Sequence, residues 1–281
     1  MSGSSGVLAD AGLPGIGRVG VWFNDPENWW GPFGLLVRIR EHLIYTGIIL
    51  VIAILIALPL GLVVGHTGRG VFFVVGLANG LRAVPTLGFV VLLYILFSSA
   101  ITTTFQIPYV VDRGGLASFV AVLIVLVVLA LPPILTSTYA GVQNVDPAVR
   151  DAARGMGMTG AQVVRRVEFP CALPLIMSGI RSAALQVIAT VTVAAYLPFL
   201  GGLGRYIKDG AGDLYNLQDG YPAMLAAGIT VAVLAVLVDA LFNLVQRYVV
   251  SPGLSGRTVK ARSETTGPPI EGATEAQLTN A

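Results

Sequence analysis

The sequence predicts an all-α polytopic membrane protein with five core transmembrane helices, and three observations carry that prediction. Five apolar stretches, roughly Leu43–Val64, Val71–Phe97, Leu116–Thr138, Leu173–Tyr196 and Pro222–Arg247, are long enough as helices to cross the hydrocarbon core, which takes ~20 residues. Only 11% of the 281 residues are charged and the mean hydropathy is +0.80, whereas a soluble domain carries roughly 25% charged residues. The alternating pattern of a membrane barrel is absent, which leaves helices to satisfy the backbone inside lipid.

The first span is preceded by all three tryptophans, Trp22, Trp29 and Trp30, together with Phe23 and Phe33. These suit a segment lying along the headgroups, so residues 1–40 read as an N-terminal tail and interfacial segment. Residues 33–42 read as a short amphipathic helix leading into the span. Gly15-Ile16-Gly17-Arg18-Val19-Gly20 fits G-x-G-x-x-G literally, but no strand precedes it and no βαβ unit follows. It reads as a flexible surface segment. No basic stretch followed by an apolar core opens the chain, so no cleaved signal peptide is expected.

The second span is interrupted by Asn79-Gly80-Leu81-Arg82-Ala83-Val84-Pro85-Thr86. Proline removes a helix hydrogen bond, and Arg82 cannot face lipid cheaply, so a kink is expected there. Arg181 and Asp239 are the deepest charges of the fourth and fifth spans, each about eight residues from its span end and therefore ~12 Å deep. They are expected to pair, directly or through water, as a structural ion pair. The tail 251–281 is polar, rich in Gly, Pro, Ser and Thr, and is expected to be disordered.

The connection Tyr139–Ala172 is too long and too well capped for a passive loop. Asp146 suits an N-cap, Pro147 the first helical position and Gly157 the stop. Between them Ala148, Ala152 and Met156 form a small-residue stripe at i, i+4, i+8. Thr159 and Gln162 form a capping box for a second short helix that stops before Pro170. Two such helices at a membrane surface can enter a partner's groove closely, with Arg150, Arg154, Arg165 and Arg166 on its rim.

Asp151-Ala152-Ala153, three residues, Gly157, nine residues and Val167-Glu168-Phe169-Pro170 resemble the EAA motif of ABC-importer permeases, with Asp for Glu, Val for Ile and Phe for Leu. The resemblance implies a type I ABC importer transmembrane domain over residues 41–250, with 139–172 as its cytoplasmic coupling loop. It implies docking to a separate ATPase through Asp151, Ala152, Ala153 and Gly157. Leu131-Pro132-Pro133-Ile134, Asn144–Val149, Gly155–Thr159, Ala172–Arg181, Ile54–Gly61, Arg82–Thr86 and Gly201-Gly202-Leu203-Gly204 resemble the osmoprotectant branch, which carries glycine betaine, choline, carnitine or proline. The resemblance implies a bacterial inner-membrane permease, a second permease copy or paralogue, and an extracytoplasmic binding protein. Arg205, Lys208 and Asp209 are candidate docking residues for the binding protein. Arg82, Pro85 and Thr86 either line the translocation path, or Arg82 caps carbonyls freed by Pro85.

The negatives agree. Lys208 and Lys260 are the only lysines and neither sits in a P-loop, so ATP and Mg are expected on the partner ATPase and no cofactor on this chain. Cys171 is the single cysteine, and His42 and His66 follow no zinc spacing, so no metal site is expected. His66 reads as a solvated residue of a short turn rather than a pH sensor. A net charge of +2 without a basic stripe excludes nucleic acid. An ion-coupled secondary transporter is the alternative, but it predicts intramembrane carboxylates and inverted repeats. An intramembrane enzyme needs a catalytic set that the spans lack.

The positive residues favour an outside N-terminus and a cytoplasmic C-terminus, with Arg69, Arg150, Arg154, Arg165, Arg166 and Arg247 inside. Arg38 and Arg40 run against this bias, close to the first span on the outer side, which leaves room for an extra N-terminal hairpin or re-entrant piece.

Overall fold

The long helices among the described residues carry proline or glycine within them, and at Gly61 and Gly179 the packing is arranged around those positions. A computed structural model describes residues 15–74, 76, 80, 86–104, 116–197, 200–212 and 220–250. Its helices are α1 (Gly15–Asn24), α2 (Leu35–Thr67), α3 (Thr86–Thr104), α4 (Leu116–Gln143), α5 (Pro147–Gly155), α6 (Gly160–Val163), α7 (Phe169–Ala194), α8 (Gly204–Gly212) and α9 (Gly220–Val249). A single π turn, Val164–Glu168, joins α6 to α7. The segments Leu35–Thr67, Phe119–Gln143, Gly160–Ala194 and Gly220–Val249 are long and apolar enough to cross a membrane, and α3 is a shorter apolar helix.

The centre is a three-helix contact of α4 with α2 and α7. Ala53 and Ala57 of α2, Val122, Val125, Leu126, Leu129 and Ala130 of α4, and Ala183, Val187 and Val191 of α7 form its buried seam. Small residues let the backbones approach, because lipid supplies no hydrophobic drive between apolar helices. A Cβ on Gly61 would meet Thr138, and one on Gly179 would meet Ser137 Cβ at 2.5 Å and the Pro133 carbonyl at 2.8 Å. Pro133 has no N–H for the Leu129 carbonyl four residues back, and the Gln186 side-chain amide of α7 donates to that carbonyl at 2.8 Å.

Three sequence expectations change. α2 is one continuous helix from Leu35, so residues 35–42 are its first turns and not a separate interfacial helix; extending a helix costs less than nucleating another. Residues 15–20 are helical rather than a flexible segment: Val19 and Trp22 are buried with Leu35, Leu203, Ala226 and Leu234, and the Trp22 ring meets Tyr206 edge-on at 5.8 Å. Trp22 is therefore held by protein, whereas Trp30 and Phe33 stay exposed. The second short helix does not stop before Pro170. It continues through the π turn into α7, with Pro170 in the first turn of α7, where a missing N–H costs little. The expected break at 79–86 and the tail 251–281 lie outside the described residues, apart from the backbone of Gly80 and Thr86.

Gly179→Val is expected to force α4 and α7 apart and to cost about 1–3 kcal/mol, the usual range for overpacking. The measurement is denaturant unfolding in detergent, and an unchanged midpoint contradicts the close approach.

Candidate functional site

α2, α4 and α7 bring one end of the bundle to a focus beneath α5. Asp146 accepts from the Ala148 N–H at 2.9 Å, and Pro147 takes the first helical position. The helix stops in a Schellman arrangement: Met158 N–H reaches the Ala153 carbonyl at 3.2 Å, Gly157 N–H reaches the Arg154 carbonyl at 2.9 Å, and Gly157 is left-handed at φ 83°. The Thr159 N–H donates to Gln162 Oε1 at 2.8 Å to start α6. A rigid short helix results, presented broadside with both ends fixed.

Its two faces differ. Ala148, Val149, Ala152 and Met156 are exposed, as are Asp151 and Gly157, while Ala153 is buried against the body. Arg154, Arg165 and Arg166 are exposed. Arg165 and Arg166 line a cleft of about 430 Å³ with Ala161 and Gln162, and Arg154 lies 3.7 Å from Asp151 in a loose surface pair.

Arg150 is the exception. It turns inward instead of onto the rim, donates to the Val142 carbonyl, and places Nε 3.1 Å from Glu168 Oε1 in an ion pair. The other Glu168 oxygen lies 2.9 Å from His66 Nδ1 at the end of α2. Glu168 is fully buried. The π turn is what aims it inward, since one extra residue per turn rotates the following side chains relative to α6. His66 is therefore a ligand of a buried carboxylate and not a solvated turn residue. Gln143 adds a side-chain bond to the Gly65 carbonyl at 2.6 Å. The carboxylate thus ties α5, α7 and the end of α2 into one body.

Glu168 is the functional residue that the sequence reading leaves without a role, although it lies inside the quoted motif between Val167 and Phe169. Its signal was a lone carboxylate at the mouth of an apolar span, where an unpaired charge is expensive.

Deeper in the bundle, Arg181 of α7 forks onto Asp239 of α9, Nε to Oδ1 at 2.5 Å and Nη2 to Oδ2 at 2.7 Å. Its Nη1 donates to Asn243 Oδ1 at 2.6 Å. At the opposite end Gly201 and Gly202 pack on α2: Glu41 accepts from the Gly202 N–H at 2.8 Å and from Arg38 at 2.9 Å. Arg205 and Asp209 pair along α8 at 3.1 Å, and Lys208 is half-buried. Arg82, Pro85 and the Thr86 side chain lie outside the described residues. Among the described residues no cluster of His, Cys, Asp and Glu is arranged for a metal.

Residues 50–250 match the family described as binding-protein-dependent transport system inner membrane component. The chain belongs to that family. The glycine betaine/carnitine/choline transport system permease protein OpuCB of Bacillus subtilis is 32% identical over 222 residues, 79% of this chain and 91% of that protein. The osmoprotectant import permease protein OsmW of Salmonella typhimurium is 30% identical over 215 residues, 76% of this chain and 91% of that one. The fold is also that of a chain of the MetNI methionine ABC transporter in an inward-facing conformation, with TM-score 0.61 and 21% identity over 77% of this chain and 96% of that chain. These relatives are transport permeases and not enzymes, and the family places the apolar helices in an inner membrane.

Glu168→Ala leaves the largely covered Arg150 without its counter-charge. A loss of about 3–5 kcal/mol is expected, the usual cost of breaking a buried pair, with a smaller loss for His66→Ala because Glu168 then keeps Arg150 as its counter-charge. Denaturant unfolding in detergent measures both, and equal losses would contradict the ranking.

Proposed function

We propose that this chain is the permease subunit of an ATP-driven importer of a compatible solute such as glycine betaine, choline, carnitine or proline, coupled to a separate ATPase through α5. The observation that carries the proposal is the two-faced α5 helix: a small-residue face open to a partner, and a back face bolted through Arg150 and Glu168 to the spans. A helix so held moves with the bundle when a partner pushes it. Ala148, Ala152, Asp151 and Gly157 form the docking face, Ala153 seats the helix from behind, and Arg154, Arg165 and Arg166 form the rim. Arg150 is a positioning residue rather than a rim contact. The relatives' names support the solute class.

In this reading ATP and Mg bind the partner. Closure of the ATPase dimer draws two coupling helices together and opens the paired permeases outward; hydrolysis resets them. A second permease copy or a paralogue completes the path, and an external binding protein delivers solute near Arg205, Lys208 and Asp209. The α5 end is cytoplasmic. α2 starts at the opposite end and α9 finishes near α7's first turns, where Gln246 reaches the Pro174 carbonyl at 3.5 Å; this arrangement supports an outside N-terminus and a cytoplasmic C-terminus. An ion-coupled transporter gains no support, because Asp239 is occupied by Arg181.

Vesicles reconstituted with this chain, its ATPase and its binding protein are expected to take up radiolabelled betaine only with ATP. Gly157→Arg places bulk on the docking face at a left-handed backbone position, which disfavours any residue with a Cβ. Uptake is expected to fall to the ATP-free background while membrane insertion is retained. Uptake at the unmodified rate would sink the proposed docking face.

A further inference from the structure

We propose that the N-terminal segment builds a binding site for an anionic phospholipid headgroup, with Arg40 as its phosphate ligand and the Trp29–Trp30 shelf as its roof. The segment lies ahead of residue 50, where the family match begins, and it carries the two arginines that run against the charge bias of the chain. Those two have different fates. Arg38 is used internally: it pairs with Glu41 at 2.9 Å and lies over the Phe33 ring at 5.5 Å. Arg40 is exposed and has no ion pair or hydrogen bond among the described residues.

The position of Arg40 is specific. It falls on the stripe of α2 that holds exposed Leu36, Ile44, Ile48 and Val51, a face for acyl chains. A cation on such a face is tolerated where it meets water or headgroups. α2 has 33 residues, ~50 Å against ~30 Å of hydrocarbon, so its first turns project into the headgroup layer. Arg40 stands about 8 Å along the axis from Leu35, at that boundary.

Beside it is a cavity of about 450 Å³ lined by Trp29, Trp30, Gly31, Leu36, Val37 and Arg40. The Trp29 ring is fixed by its N–H, which donates to the Phe23 carbonyl at 2.7 Å. The Trp30 indole N–H is unclaimed among the described residues, and the residue is 73% exposed. Arg40 and Trp30 line the same cavity, and a guanidinium fork with an indole N–H is a donor set suited to phosphate oxygens. The lining holds one cation and no carboxylate. Net charge therefore favours an anionic lipid over a zwitterionic one, whose quaternary ammonium is left with the tryptophan faces alone. The acyl chains continue down the α2 stripe.

The chain has three tryptophans, all in this segment, so tryptophan emission, excited to the red of the nine tyrosines, reports on it alone. The purified full chain is placed in nanodiscs of unlabelled zwitterionic lipid doped with chain-brominated phosphatidylglycerol or chain-brominated phosphatidylcholine at equal mole fraction. Stronger quenching by the brominated phosphatidylglycerol is expected, matching a local enrichment of about fivefold for one arginine near an anionic headgroup. Arg40→Gln is expected to abolish the preference and Arg38→Gln to keep it. Equal quenching of the wild type by both lipids overturns the proposal, as does a preference that survives Arg40→Gln. A preference erased by millimolar inorganic phosphate also overturns it, because the site then takes the free ion. Arg40→Lys keeps the charge without the fork, and a partial preference there supports bidentate phosphate contact. The wild-type comparison needs no variant to fold.

Discussion

Inside hydrocarbon a polar group has no water to fall back on, and this chain meets that constraint with specific protein partners. The Leu129 carbonyl, released by Pro133, is taken by Gln186. The Arg181 guanidinium is shared between Asp239 and Asn243. Glu168, fully buried, is held between Arg150 and His66. Each of these contacts crosses from one helix or segment to another, so satisfying the polar group also fixes helix register. Unpaired, any of them would cost several kcal/mol, comparable with the net stability of a domain.

The same constraint explains the division of labour along the chain. The centre is packed from Ala, Gly and Val, where close backbone approach replaces the hydrophobic drive that lipid cannot supply. Besides the mid-bundle contacts of Gln186 and Arg181, further polar contacts tie the two ends. At one end the Glu168 cluster makes α5 rigid against the bundle while leaving its outer face bare. At the other, Glu41 fastens the glycine loop at 201–202 to α2. A bundle tied at both ends is suited to moving as a unit, which is what transmission of work from a surface partner to a membrane path requires.

The N-terminal segment follows a different logic. α1 packs through Val19 and Trp22 onto α9 and Leu203, and this anchor leaves Trp30 and Phe33 exposed just ahead of α2. Arg38 and Arg40 are two residues apart, so on a helix they face nearly opposite ways. Arg38 serves the fold through Glu41, and Arg40 stays exposed.

Much was legible from the residues alone. Apolar run length determined the α-helical membrane class, because helices alone satisfy such runs in lipid. The caps of α5 were readable because Asp146-Pro147 and Gly157 act through local backbone geometry. Tertiary structure decided the rest. That Arg150 turns inward, that His66 meets a carboxylate 102 residues away, and that Trp22 is buried while Trp30 is not all depend on which helix faces which. The π turn rotates Glu168 into the junction, and no local propensity announces that turn. Local chemistry specifies each element, whereas pairing of buried charges is set by helices that meet only after the chain has packed.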